Sequence, residues 1–195
     1  MRATVSLLTA LCAAAIFGFA AAAAAAPVRY LLEQEKSIVG FETDFGPDLI
    51  TGEMPVAAAD LLIDLAQPAN SRVSVTLDAA GARASFLFAT QALQGPKVLA
   101  TRDYPEIRFV STRVRRDGDG ALIDGVITIR GHDEPITFVA EFFTQFGYER
   151  GDLSHLSIVL TGAVQRSRFG ATGWADMVGD EVRLKITARI ARAGG

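Results

Sequence analysis

The chain has 195 residues, with 19 basic and 22 acidic side chains and a formal net charge of −3. A chain of this length forms one domain with room for a full hydrophobic core. Its acidic balance argues against a partner held by bulk positive charge, such as a nucleic acid or an anionic membrane.

Residues 1–26 have the pattern of a secretory signal peptide. Arg2 gives a positive start, residues 5–19 form an apolar core, and residues 20–26 are all alanine. This order is typical of a cleaved leader, so we expect export to the periplasm and a mature domain of residues 27–195. An uncleaved membrane anchor is the alternative, because the apolar run is long enough to span a bilayer.

Alternating apolar and polar residues predict an antiparallel meander along most of the mature chain. The first predicted strand covers residues 37–45 and the last covers residues 181–190. We expect about eight strands in all. Turns rich in Gly, Pro and Asp separate the strands, which is typical of an all-β barrel or sandwich. The last strand sets Val182, Leu184 and Ile186 against basic residues, as expected for a sheet with one dry face.

Residues 79–104 interrupt the strand pattern. Their apolar residues do not alternate cleanly, and Gly95 and Pro96 divide the segment. We expect one long connection that contains a short helix, placed at residues 97–102. Long connections in β-barrels often cover one end of the barrel.

The strongest hairpin signal lies at residues 123–146. Two alternating runs flank a polar turn at residues 131–134, which contains Gly131. One face is predicted to be apolar and to mix small and large residues, namely Ile123, Gly125, Ile127 and Ile129 on the first run and Ile136, Phe138, Ala140, Phe142 and Phe146 on the second. Such a mixture suits a curved sheet around a ligand, and it also suits an ordinary packed core.

Residues for catalysis are scarce in the mature chain. Cys12, the only cysteine, lies in the leader, and the two histidines, His132 and His155, have no metal-ligand spacing. His132 beside Asp133 and Glu134 could form a surface metal site, although a solvated turn is the favoured reading. We therefore expect no enzyme activity, no cofactor and no metal. From pattern alone, a core filled by its own side chains is favoured over a ligand-filled cavity.

Three segments resemble the YceI-like family of exported lipid-binding β-barrels. Residues 103–112 are similar to its Tyr-Pro-x-Ile-x-Phe-x-Ser stretch, and residues 124–131, continuing to Pro135, are similar to its Gly-x-Leu-Thr-Ile-x-Gly hairpin. Residues 164–170, followed by 178–182, are similar to its Arg-Ser-x-Phe-Gly segment and final strand. The segments occur in the right order and at the right separations. The earlier spacing of Gly52, Asp64, Ser71 and Asp78 also fits the family, so the resemblance covers nearly the whole mature chain.

This resemblance implies an extended, eight-stranded, lipocalin-like antiparallel barrel with one short helix. It also implies a long-chain isoprenoid ligand, such as a quinone or a prenyl lipid, inside the barrel. The expected lipid-binding wall is Phe41, Phe45, Phe109, Ile127, Ile129, Phe138, Phe142, Leu160 and Val164, with Trp174 as a lip near the head group. Transient membrane contact and a homodimer stay open, as does an alternative role as an envelope interaction module with a packed barrel.

Two departures from the family pattern concern the ends of the barrel. The connection at residues 79–102 lacks the usual Arg-Asp-x-His-Leu pattern, and Arg168 stands where an acid is common. Arg166 and Arg168 together are candidates for attracting an anionic head group.

Overall fold

The computed structural model describes residues 26–149 and 151–194. The predicted signal peptide therefore lies outside the described residues, apart from its last alanine. Eleven strands and one α-helix occur within them. In chain order these are β1 (Val28–Leu32), β2 (Ile38–Phe45), β3 (Asp48–Met54), β4 (Val56–Ile63), β5 (Arg72–Asp78), β6 (Arg83–Ala84), α1 (Leu87–Gln94), β7 (Glu106–Asp117), β8 (Gly120–Ile129), β9 (His132–Thr144), β10 (His155–Gln165) and β11 (Val178–Arg192).

The strands close into an eight-stranded antiparallel barrel, which confirms the predicted fold class. The circuit runs β1, β4, β5, β7, β8, β9, β10, β11, and β11 pairs again with β1. A 3-10 turn at Gln34–Lys36 joins β1 to β2, and Pro55 alone separates β3 from β4. The strand β1 pairs with β4, and β2 pairs with β3. The consecutive strands β1 and β2 therefore act as one interrupted strand of the barrel wall, and so do β3 and β4.

Antiparallel order places the connections at two opposite ends of the barrel. The long connection at residues 79–105 and the loop at residues 166–177 lie at one end, which we call the helix end. The turn at residues 64–71, the connection between β9 and β10, the start of β1 and the end of β11 lie at the other, which we call the terminal end. In the described part of the chain, no helix combines the length and the apolar character needed to cross a bilayer.

Side-chain alternation fixes which residues face the barrel interior. Along β8 every second residue is buried, from Ala121 to Ile129, while the residues between them are partly exposed. On β9 the buried set is Ile136, Phe138 and Ala140. The period of two therefore predicts the inner face correctly over both strands.

The β8–β9 hairpin is tighter than the sequence suggests. Its turn consists of Arg130 and Gly131 alone, with φ values of 52° and 72°, and His132 already belongs to β9. Two successive positive φ values match the twist of the flanking strands, and glycine adopts such a value without strain. Phe146, expected on the inner face, lies beyond β9 and is fully exposed.

The short helix exists, but not where the sequence placed it. The helix α1 precedes Gly95, whereas residues 97–102 form turns. The N-cap residue of α1, Phe86, makes no capping hydrogen bond, so the usual start signal is missing. The strand β1 was not predicted at all.

Candidate ligand-binding cavity

The barrel encloses a cavity of about 540 Å³, which is lined mainly by apolar side chains. This volume lies within the range of about 300–1,000 Å³ that is usual for small-molecule sites. All ten residues predicted for the lipid-binding wall and its lip line this cavity, namely Phe41, Phe45, Phe109, Ile127, Ile129, Phe138, Phe142, Leu160, Val164 and Trp174. The interior is therefore not filled by side chains, contrary to the reading that pattern alone favours.

Three phenylalanines leave room along the axis because each lies over a glycine of a neighbouring strand. A Cβ atom built on Gly52 would fall 2.2 Å from the ring of Phe41. For Gly125 the distance to the ring of Phe109 is 2.4 Å. Each ring thus occupies the space above a glycine and lies against the barrel wall.

The third pair is Gly162 with Phe138, and the Phe138 ring also packs on that of Phe109. A Cβ atom on Gly162 would approach the ring of Phe138 to 2.8 Å. The rings of Phe138 and Phe109 pack edge to face, with centroids 5.3 Å apart, an arrangement that aromatic pairs favour. Because glycines on the inner faces leave space for the phenylalanine rings next to the wall, the centre of the barrel stays open.

The buried polar atoms of the cavity wall already have partners. The Thr43 hydroxyl donates to the backbone carbonyls of Glu181 and Gly179, at 2.9 and 3.2 Å. Among the described residues, no buried side-chain nitrogen or oxygen lacks a hydrogen-bond partner. A ligand inside the barrel consequently meets apolar surface, and its polar group would have to lie at an end.

The mouth of the cavity at the helix end is apolar. Phe86, Phe88 and Met177 line the cavity and are also exposed to solvent. Trp174 lies half-buried beside them in the left-handed backbone region, with φ of 54°. The Nζ atom of Lys97 lies 5.7 Å from the centre of the Trp174 ring, within reach of a cation–π interaction. Lys97, which the sequence analysis did not select, is therefore a cation at the mouth.

Arg166 is buried and holds the loop that carries Trp174. Its guanidinium donates to four backbone carbonyls, those of Ala171, Gly173, Val178 and Gly179, at 2.6 to 2.8 Å. These bonds use four of the five N–H donors of the side chain. Arg166 thus fixes the backbone of residues 166–179, which differs from the expectation that it faces a head group.

Arg168 lies apart from this arrangement. Its side chain is exposed and pairs with the carboxylate of Glu134 at 3.0 Å. Arg168 does not line the cavity. Arg166 does, but its guanidinium is already bonded to backbone carbonyls. The structure therefore does not bring the two arginines together as a joint cationic site.

The terminal end carries a hydrogen-bonded turn centred on the buried side chain of Asp64. Its carboxylate accepts from the N–H of Gln67 at 2.7 Å, from the Asn70 amide at 3.0 Å and from the N–H of Ala66 at 3.0 Å. These bonds hold the pKa of the Asp64 carboxyl below its ordinary value, with Gln67 as the largest cause. Ser71 completes the turn by accepting from the N–H of Asp64 at 2.9 Å.

Two further buried groups tie down the loop at residues 145–154. The Tyr30 hydroxyl donates to the carbonyl of Leu153 at 2.8 Å, and burial raises the pKa of this phenol. The side-chain amide of Gln145 donates to the carbonyl of Leu156 at 3.0 Å and to Glu33 at 3.1 Å. The Tyr30 bond links the loop to β1, and the Gln145 bonds link it to the backbone of β10 and to the side chain of Glu33.

The two histidines do not form a catalytic or metal-binding arrangement. His132 is exposed at the start of β9. The ring of His155 stacks on Tyr148 with centroids 4.1 Å apart, and its Nδ1 atom lies 3.0 Å from the hydroxyl oxygen of Ser154. Over residues 26–149 and 151–194 no cluster of three or more His, Cys, Asp or Glu side chains could hold a metal ion.

Comparison with known proteins agrees with this geometry. Residues 30–190 match the family model of the YceI-like domain. The chain belongs to the YceI-like family. It is 28% identical over 127 residues to the protein YceI of Escherichia coli O17:K52:H18, an alignment that covers 65% of this chain and 66% of the relative. The chain thus spans slightly less than two thirds of that YceI protein.

Solved structures show the same fold. The YceI-like chain matches the crystal structure of Burkholderia cenocepacia BcnA with a TM-score of 0.71 and 21% identity, over 82% of this chain and 99% of BcnA. It also matches a domain from Saccharophagus degradans that is described as polyisoprenoid-binding and implicated in plant cell wall breakdown. That match has a TM-score of 0.60 and 10% identity, over 85% of this chain and 99% of the other.

Proposed function

We propose that this YceI-like protein binds one long-chain isoprenoid, or a similar amphiphilic lipid, with the apolar tail inside the barrel. The observation that carries the proposal is the apolar cavity of about 540 Å³, together with the hydrogen-bonded state of its polar wall atoms. The protein would sequester or carry the lipid in the periplasm after export, without chemistry of its own.

Hydrophobic burial provides the binding free energy. Burial of apolar surface contributes about 25 cal/mol per Å². The ordering of a flexible tail opposes binding, but a cavity that already exists in the fold spares the protein its own reorganisation. A branched prenyl tail matches a wall of Phe, Ile, Leu and Val because both surfaces are apolar and irregular.

The relative from Saccharophagus degradans supports the ligand class. Its description names polyisoprenoid binding, and its barrel superposes on most of this chain. A quinone and a prenyl alcohol both carry an isoprenoid tail, so both are candidates. The envelope interaction module remains the second candidate, and the surface that favours it is the exposed apolar group Phe143, Phe146 and Leu153 at the terminal end.

The test is native mass spectrometry of the mature protein, purified without detergent, followed by organic extraction. We expect one lipid adduct per chain that extracts as an isoprenoid. The variant Ala188→Phe should remove it, because Ala188 lines the cavity on β11 and a ring there fills the lumen. Thr187→Phe is the matched control, since Thr187 belongs to the opposite face of the same strand.

The outcomes separate the two candidate functions. Loss of the adduct in Ala188→Phe, with retention in Thr187→Phe, supports lipid binding in the barrel. An apo mass for the unaltered protein, with no uptake of added quinone or prenyl alcohol, contradicts it and favours the interaction module.

A further inference from the structure

Three consecutive large apolar side chains project from the start of α1. Leu87 is 75% exposed, Phe88 is 68% exposed, and Phe86 is also exposed. Phe86 and Phe88 line the cavity as well, whereas Leu87 does not. Together with Met177, these residues form a surface that we call the mouth patch. Contiguous exposed apolar surface of this kind marks an interaction site.

Hydrogen bonds hold the mouth patch in place. The N–H of Ser85 donates to the carbonyl of Thr51 at 2.7 Å, and the hydroxyl of Thr90 accepts from the N–H of Ala84 at 2.9 Å. The side-chain amide of Gln94 donates to two further carbonyls of the same connection. The exposed side chains are therefore presented by an anchored segment at the rim of the cavity.

The connection that carries Phe86, Leu87 and Phe88 is basic. The connection at residues 79–105 contains Arg83, Lys97 and Arg102 and a single acid, Asp103, so its net charge is +2 in a chain of net charge −3. Within the described residues, none of these three basic side chains forms an ion pair. Basic side chains without an ion pair, in the same segment as exposed apolar side chains, match a surface that is anionic outside and apolar beneath.

We propose that the helix end docks on an anionic phospholipid bilayer, with the mouth patch in the interfacial layer and the basic side chains on the lipid phosphates. This inference rests on the proposed function, because an isoprenoid tail enters water only at a large cost in free energy. Docking places the apolar mouth of the cavity against the lipid phase, so the tail passes between bilayer and barrel without crossing water.

The terminal end has exposed apolar residues but differs in charge. Phe146 is fully exposed and is not part of the cavity wall, and the same loop contains the acids Glu149 and Asp152. With Arg150, the one base of that loop, its net charge is −1, against +2 for the connection at the helix end, so an anionic bilayer favours the helix end. Phe146 therefore offers a matched control, being an exposed apolar residue at the opposite end of the barrel.

Binding is measured by sedimentation with vesicles of equal parts phosphatidylglycerol and phosphatidylcholine, and with vesicles of phosphatidylcholine alone. Trp174 is the only tryptophan of the chain and lies at the mouth, so its emission and its quenching by brominated lipid report the docked end. We expect binding to the anionic vesicles, a blue shift of the emission, and weakening by salt.

Two sets of variants identify the surface. Leu87→Ser should weaken vesicle binding roughly tenfold to a hundredfold, because one buried leucine contributes about 1.5–3 kcal/mol and each 1.4 kcal/mol is a factor of ten. The double variant Arg83→Gln with Arg102→Gln should lose the preference for phosphatidylglycerol. Phe146→Ser should bind as the unaltered protein does.

A separate assay distinguishes failure of docking from failure of lipid binding. Prenyl alcohol or quinone is added from ethanol, which bypasses the bilayer, and Leu87→Ser should take it up normally because Leu87 does not line the cavity. The docking proposal is overturned if the unaltered protein ignores anionic vesicles yet takes up ligand from ethanol. It is also overturned if Phe146→Ser loses as much binding as Leu87→Ser. Docking without any uptake of ligand would instead contradict the proposed function.

Discussion

The two ends of the barrel differ in the chemistry of the groups that lie next to the cavity. At the terminal end, the buried carboxylate of Asp64 satisfies two backbone N–H groups, and Tyr30 and Gln145 tie the neighbouring loop to backbone carbonyls. At the helix end, Phe86 and Phe88 leave apolar surface in contact with both cavity and solvent. The terminal end thus places a hydrogen-bonded turn beside the cavity, whereas the helix end presents apolar side chains to it.

This difference implies that a ligand enters the cavity with its tail first, from the helix end. A tail that enters through the apolar end meets a mainly apolar wall until it reaches the hydrogen-bonded turn around Asp64. Further passage of the tail would separate the backbone N–H groups of Ala66 and Gln67 from the Asp64 carboxylate. Leaving these groups without partners next to hydrocarbon is unfavourable. We therefore expect the ligand's polar group to remain at the helix end, near Trp174 and Lys97.

The largest expected effect on stability is that of Arg166→Met. The substitution keeps an apolar stem but removes the donors of four backbone carbonyls in the loop at residues 166–179. Buried hydrogen-bonding groups left without partners should lower the free energy of unfolding by on the order of 3–5 kcal/mol. Denaturant unfolding at neutral pH measures this change.

Arg168→Gln is the matched control for that prediction. Arg168 lies two residues away, is exposed and pairs only with Glu134. Exposed ion pairs contribute about 0–1 kcal/mol. Equal losses in the two variants would contradict the role assigned to Arg166 and indicate a general sensitivity of the loop to charge.

The next effect, at the terminal end, is that of Tyr30→Phe. It removes the hydrogen bond to Leu153, so we expect the free energy of unfolding at pH 7 to fall by about 1 kcal/mol. Burial raises the pKa of Tyr30 in the folded protein, so its stabilising effect is present below the unfolded value of about pH 10 and disappears as pH rises above it. Unfolding measured at neutral and alkaline pH should show that alkaline loss in the unaltered protein and a smaller one in the variant.

The period of two predicted the strands and their inner face, whereas it left barrel and sandwich open, and the resemblance to the YceI-like family implied the closed barrel. Ile127, Ile129 and Phe138 follow directly from alternation on two long strands, and they do line the cavity. The strand β1 escaped detection because it is short and its neighbouring residues Tyr30, Leu31 and Leu32 are all apolar. Without alternation, periodicity cannot assign such a segment.

The open cavity and the role of Arg166 could not be read from pattern alone. Whether phenylalanine fills a barrel or lies against its wall depends on which glycine faces it across strands, as for Phe41 and Gly52, and that is a matter of register. The role of Arg166 depends on which carbonyls the following loop turns inward. An arginine in a polar run gives no local sign of either burial or partners.

A third, smaller effect should appear only in acid. Hydrogen bonds lower the pKa of Asp64 in the folded protein, so the stability they contribute is present above the unfolded pKa of about 3.9 and is lost as pH falls through the folded value. Asp64→Asn should flatten the fall in unfolding free energy below about pH 4. Asp44→Asn is the control, because the pKa of the exposed Asp44 is lowered mainly by its ion pair with Arg183, which high salt screens. A fall in Asp64→Asn as steep as in the unaltered protein would contradict the role of Asp64.

The smallest expected effect on stability is that of Leu87→Ser at the helix end. Leu87 is exposed in the folded protein, so its removal should change the free energy of unfolding by no more than about 0.5 kcal/mol. Leu61→Ser is the contrast, since Leu61 is buried on the cavity wall and its loss should destabilise by about 2–5 kcal/mol. A large loss in Leu87→Ser would mean that the mouth patch supports the fold itself. A negligible loss, measured by denaturant unfolding, would mean that the exposed leucine is kept for contact with something other than the rest of the chain.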